Sequence, residues 1–163
     1  MRITICLSDR VTKDLVESAI AFNQSIDEIL LRGPGFIGGM LQAAARTGGY
    51  VAVRQRRPGG MFLVTQLNVP TLENFRRKPG VWCFDGSSGD LGGRPLEGTT
   101  VALSFEDAAL EEIRTVLRAD SLLEAYSYSL WLYLMLLRTT RDIPGAEVGV
   151  HAPKEGRFYC CEE

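Results

Sequence analysis

Few side chains in this sequence are of types that carry chemistry by themselves. His151 is the only histidine, which excludes a histidine-rich metal site and makes any nucleophile-histidine pair depend on one ring near an irregular C-terminus. Cys6, Cys83, Cys160 and Cys161 have neither CxxC spacing nor the scatter of a disulfide framework. They read as free thiols of a reducing compartment. Glu111 and Glu112 are adjacent, so on a helix they point apart and form no carboxylate pair. The run Asp85-Gly86-Ser87-Ser88-Gly89-Asp90-Leu91-Gly92-Gly93 has the composition of a phosphate or calcium loop. It lacks the Lys-Ser/Thr ending of the first and the regular acidic positions of the second, and reads as a linker. No catalytic residue, metal ligand or cofactor is assigned, and no enzymatic activity is expected.

Charge is distributed unevenly. Residues 46–78 hold Arg46, Arg54, Arg56, Arg57, Arg76, Arg77 and Lys78 against one acid, Glu73, whereas residues 79–163 are acidic. A basic middle and an acidic C-terminal half indicate either an anionic partner or mutual attraction between the two parts.

The elements that must position these groups follow from periodicity. Arg2 to Leu7 alternates, with Ile3, Ile5 and Leu7 on one face and Arg2, Thr4 and Cys6 on the other, which predicts a half-buried strand. Ser8 caps a helix with Val11, Leu15, Ala19 and Phe22 on its apolar face, and Ser25 opens a second one. Gly33-Pro34-Gly35 is expected to interrupt that helix, with a further short helix over residues 36–45. Tyr50 to Gln55 and Met61 to Leu67 predict a hairpin with a basic tip at Arg56-Arg57-Pro58-Gly59-Gly60. After a loop over 79–98, in which only Val81-Trp82-Cys83-Phe84 is able to make a short strand, come a strand at 100–104, a helix from about 106 to 119, a long apolar helix from 121 to 138 and two short terminal strands. The greasiest segment, 121–137, contains Glu124 and falls short of the roughly 20 apolar residues that cross a bilayer. No basic leader opens the chain, so a cytoplasmic protein without membrane association is expected. The fold class is therefore α+β, in segments 1–45, 46–98 and 99–163 that together make one compact domain.

The order strand, helix, turn, helix within some 35 residues, on Arg2-Ile3-Thr4-Ile5-Cys6-Leu7-Ser8-Asp9, Val11, Leu15, Ala19 and the Asn23-Gln24-Ser25 junction before Ile26-Asp27-Glu28-Ile29-Leu30, resembles the ribbon-helix-helix repressors. The resemblance covers about one fifth of the chain. It implies a homodimer whose paired strands present Arg2, Thr4 and Cys6 to the major groove of double-stranded DNA, with Ser25 at a helix start meeting a phosphate. Asp27 and Gly33-Pro34-Gly35 depart from the family's pattern. Thr99 to Ser104 and the helices after it suggest a degenerate second copy at 99–138, since Leu7, Ser8 and Ser25 fall on Leu103, Ser104 and Ser121 at an offset of 96. The helix between keeps that register only after a two-residue slip, which brings Leu15 onto Ile113.

Two functions are expected. The first is a small DNA-binding transcriptional regulator, with Arg54, Arg56 and Arg57 gripping the phosphate backbone. The second is a protein-binding module of the inhibitor, immunity or assembly-factor kind, with no nucleic-acid role.

Overall fold

Ile3, Ile5 and Leu7 have no exposed surface, and that burial organises the first half of the molecule. The computed structural model describes residues 1–78, 80–85 and 99–160; the glycine-rich run after Asp85 lies outside them. The described elements are β1 (Arg2–Leu7), α1 (Asp9–Ala21), α2 (Ile26–Thr47), β2 (Tyr50–Arg56), β3 (Phe62–Gln66), α3 (Leu72–Arg77), β4 (Val81–Asp85), β5 (Thr99–Ser104), α4 (Asp107–Leu117), α5 (Leu122–Asp142), β6 (Ala146–Ala152) and β7 (Arg157–Cys160). They form a mixed α+β fold with two antiparallel sheets, in the orders β4-β1-β5 and β3-β2-β6-β7. Among the described residues no helix is long and apolar enough to cross a membrane.

β1 is the middle strand of its sheet. The strand pairing expected between two chains is made inside one: β5 lies along one edge, from Arg2↔Ser104 to Leu7↔Thr99, and β4 along the other, from Ile3↔Asp85 to Leu7↔Val81. Neither edge of β1 is therefore left open for the strand of a second copy. The β1–β5 register is symmetric about Ile5↔Val101 when the two strand-helix-helix segments are aligned 96 residues apart. Ser25 and Ser121 stand at matching N-caps, each accepting from the backbone amide of a glutamate three residues on, Glu28 and Glu124. In the helices between, Leu15 of α1 and Leu110 and Ile113 of α4 are buried.

The expected break in α2 does not occur. The helix runs from Ile26 to Thr47 with Pro34 inside it. Proline has no amide to give the carbonyl four residues back, which here belongs to Leu30. That carbonyl instead accepts the Tyr126 hydroxyl of α5 at 2.8 Å, in a buried site. Gly33 serves the same helix pair, because a Cβ there would lie 2.6 Å from Tyr133 Cδ1. Gly33 and the carbonyl freed by Pro34 thus seat α5 rather than mark a helix boundary, and residues 36–45 continue the same helix.

α3 was not anticipated. Thr71 caps it by accepting from the Asn74 amide at 3.2 Å, and its one buried residue, Phe75, packs on Tyr128 and Trp131 with ring centroids 5.7 and 5.3 Å away.

Removing the Tyr126 hydroxyl leaves the Leu30 carbonyl buried without a donor. Tyr126→Phe is expected to lower unfolding free energy by about 1 to 3 kcal/mol, read from urea denaturation. The loss should shrink in a Pro34→Ala background, where an amide returns to the Leu30 carbonyl; an equal loss in both backgrounds would refute this account of the continuous helix.

Candidate functional site

The residues expected to contact DNA fall in three places. On the outer face of the β4-β1-β5 sheet, Arg2 is exposed and Thr4 is half-buried. Cys6 is only 5% exposed, with Sγ 3.7 Å from Thr100 Oγ1, and so does not project as a base reader. Across β5 the same face shows Thr100, Ala102 and Ser104, which leaves Arg2 as its one cation among the described residues.

Ser25 caps α2, but the site is already occupied by the protein's own carboxylate. The Ser25 amide donates to Glu28 Oε2 at 2.9 Å, while the Glu28 amide donates to Ser25 Oγ at 3.1 Å. This closed capping box, with Asp27 beside it, meets the positive end of the helix dipole where a phosphate was expected.

Arg54, Arg56 and Arg57 stand together on the β2–β3 hairpin. The 22 residues of α2, at 1.5 Å each about 33 Å, separate that hairpin along the chain from Ser25. Arg54 is committed to the protein itself. It donates from Nε and Nη2 to Glu147 Oε2 at 3.0 and 2.6 Å, and its guanidinium lies 4.6 Å from the Phe62 ring centroid and 4.7 Å from that of Phe158. Gly149 makes room for this stack, since a Cβ there would come within 2.9 Å of the Phe158 ring. Arg56 and Arg57 are exposed at the tip and have no ion-pair partner among the described residues.

Two further arginines of the basic segment behave like Arg54. Arg76 reaches Glu124 at 2.6 Å and Asp120 at 3.0 Å, and Arg77 pairs with Glu73. Mutual attraction between the basic middle and the acidic C-terminal half therefore accounts for Arg54 and Arg76, while Arg46, Arg56, Arg57 and Lys78 are exposed without an ion pair among the described residues.

The surface that sequence reading missed lies beside that tip. Met61, Phe62 and Leu63 are 71%, 51% and 44% exposed. β3 is an edge strand whose residues, Phe62-Leu63-Val64-Thr65-Gln66, carry no charge. Its ladder is bracketed by Arg57 N donating to Met61 O at 2.7 Å and Leu67 N donating to Val51 O at 3.0 Å. Antiparallel bonding alternates, so residues 61, 63, 65 and 67 bond to β2, and Phe62, Val64 and Gln66 turn their amides and carbonyls to the open edge. Four successive apolar residues, 61–64, were the available signal, because an amphipathic strand alternates and this one does not. Nothing in that run distinguishes a strand buried on both faces from one exposed on both.

Among the described thiols, Cys6 and Cys83 are buried and Cys160 is exposed. Burial pushes the Cys83 thiol up to about 12, which keeps it neutral and unreactive. Cys160 lies against Arg54 and Glu147, with Sγ 3.4 Å from Arg54 Nη2 and 3.5 Å from Glu147 Oε2. No group of three or more His, Cys, Asp or Glu among the described residues is placed to hold a metal ion.

The hydrogen bonds from Arg54 hold the Glu147 carboxyl below the ordinary glutamate range. A depressed carboxyl contributes stability above its unfolded value and loses it as pH falls through the folded one. Glu147→Gln should therefore be less stable than the wild type at neutral pH, and the two should converge in acid, where Glu147 is itself neutral. Thermal melts stepped from pH 7 to pH 3 test this; a gap that persists at pH 3 would locate the effect in packing. Compared with known proteins, the chain matches no family model, no curated protein and no solved structure.

Proposed function

We propose that this chain is a protein-binding module whose docking element is the β2–β3 hairpin. The observation that carries the reading is the run of three exposed apolar residues, Met61, Phe62 and Leu63, at the start of an uncharged edge strand. Proteins that stay apart in solution blunt such edges with charge, proline or a covering element. None of these lies within β3, and clustered exposed apolar side chains mark interaction sites. An inhibitor, immunity-type or assembly-factor role fits a small chain built in this way.

A second reading, a DNA-binding regulator, is favoured by one observation: β1 and β5 pair symmetrically about Ile5↔Val101, as two strands of a groove-entering ribbon would. Three features weigh against it. β4 adds a third strand where the major groove admits a two-stranded ribbon, Arg2 is the face's only described cation, and Glu28 occupies the helix start at Ser25.

One pair of experiments separates the readings. The immobilised chain should retain a partner in near one-to-one amount, and Phe62→Ser with Leu63→Ser should abolish retention while leaving the circular dichroism spectrum unchanged. Random duplex DNA should show no mobility shift at low salt. A salt-sensitive shift that Arg2→Ala weakens would transfer the assignment to the second reading.

A further inference from the structure

We infer that the free edge of β3 receives an extended, apolar segment of a partner protein, added antiparallel as a fifth strand, whose C-terminal end carries acidic residues that meet Arg56 and Arg57. This rests on the protein-binding reading above and names the chemistry of the partner.

Backbone geometry is the first support. Phe62, Val64 and Gln66 direct three amides and three carbonyls outward, and no backbone hydrogen bond from a described residue reaches them there. An added strand satisfies these groups in register, whereas a helix or a lipid surface does not. Side chains set the partner's composition. Phe62 and Leu63 project to opposite faces of the sheet and both are about half exposed, so residues facing them on either side of the incoming strand gain from being apolar. A run apolar on both faces, four or five residues long, matches β3.

Charge fixes direction. β3 runs away from the turn, so an antiparallel partner runs toward it and brings its C-terminal end beside Arg56 and Arg57. These two arginines are exposed without ion-pair partners among the described residues, in contrast to Arg54 and Arg76. A second copy of this chain fits poorly by the same criterion. Pairing β3 with its own copy about Val64 places each tip beyond the other's Gln66, where Leu67-Asn68-Val69-Pro70-Thr71 offers no acid.

The test is selection of a random decapeptide library, displayed on phage, against the folded chain, followed by affinity measurement on the enriched peptides. The enriched sequences should share an apolar β-forming run followed by aspartate or glutamate. Val64→Pro is the decisive variant. The Val64 amide faces the open edge, so proline removes nothing from the β2 ladder and is tolerated on such a strand, yet it blocks strand addition. Binding of the selected peptides should fall by about tenfold or more in Val64→Pro, and by about tenfold when Arg56 and Arg57 become glutamate, the range expected for losing close charge pairs. Thr65 donates inward, so Thr65→Pro should unfold the hairpin and marks what a structural loss looks like by circular dichroism.

Enriched peptides that lack acids, or whose binding is untouched by Val64→Pro, overturn the inference and leave a protein-binding surface elsewhere. Failure to enrich any peptide on folded chain overturns the protein-binding reading as well. A dimer of the chain alone, seen by light scattering and lost in Val64→Pro, replaces the partner with a second copy. Adsorption to phosphatidylserine vesicles that survives Val64→Pro replaces it with a membrane surface.

Discussion

The occupation of both edges of β1 is the constraint on which the rest of the molecule depends. A six-residue strand with three fully buried side chains on one face needs neighbours, and the chain supplies them from residues 81–85 and 99–104. Because β5 brings α4 and α5 with it, the partner strand carries a second pair of helices, and α5 packs against both α1 and α2. Asp14 on α1 meets Arg138 on α5 at 3.3 Å, and Glu17 meets Arg141 at 3.3 Å. Both neighbours of β1 come from the same chain. The strands that follow α2 and α5, β2 with β3 and β6 with β7, build the second sheet.

That arrangement explains the division of charge. The basic middle faces acids of the C-terminal half at Arg54–Glu147 and at Arg76 with Glu124 and Asp120, so most of the electrostatic asymmetry along the sequence closes within the fold. Surface pairs of this kind contribute little each. Their larger effect is to commit Arg54 and Arg76 to the protein itself, whereas Arg56 and Arg57 at the end of the hairpin have no ion pair among the described residues.

Much of the secondary structure was legible because local rules produce it. Alternation located β1, serine caps located the starts of α1, α2 and α5, and Gly-Pro-rich turn chemistry located the β2–β3 hairpin. What escaped depends on residues far apart in the chain. Pro34 reads as a helix stop until a hydroxyl 92 residues later is placed over the Leu30 carbonyl. Cys6 reads as outward by parity, and is outward, yet it is covered. Arg54 reads as free charge until Glu147 is brought opposite by the β2–β6 pairing. The candidate site was half visible: its arginines were identified from composition, but the apolar edge beside them was not, since strand position in a sheet is a property of topology and not of any short window.

The hydroxyl of Tyr126 also imposes an order on how this protein comes into being. On a ribosome, residues 26–47 emerge long before Tyr126 does, and until then Leu30 has no donor inside its own helix. The nascent chain therefore carries this helix with an unmet carbonyl until α5 has cleared the exit tunnel. Truncation before Thr99 would release a chain lacking β5 and α5 together, with β1 open along one side and α2 unsupported at its proline.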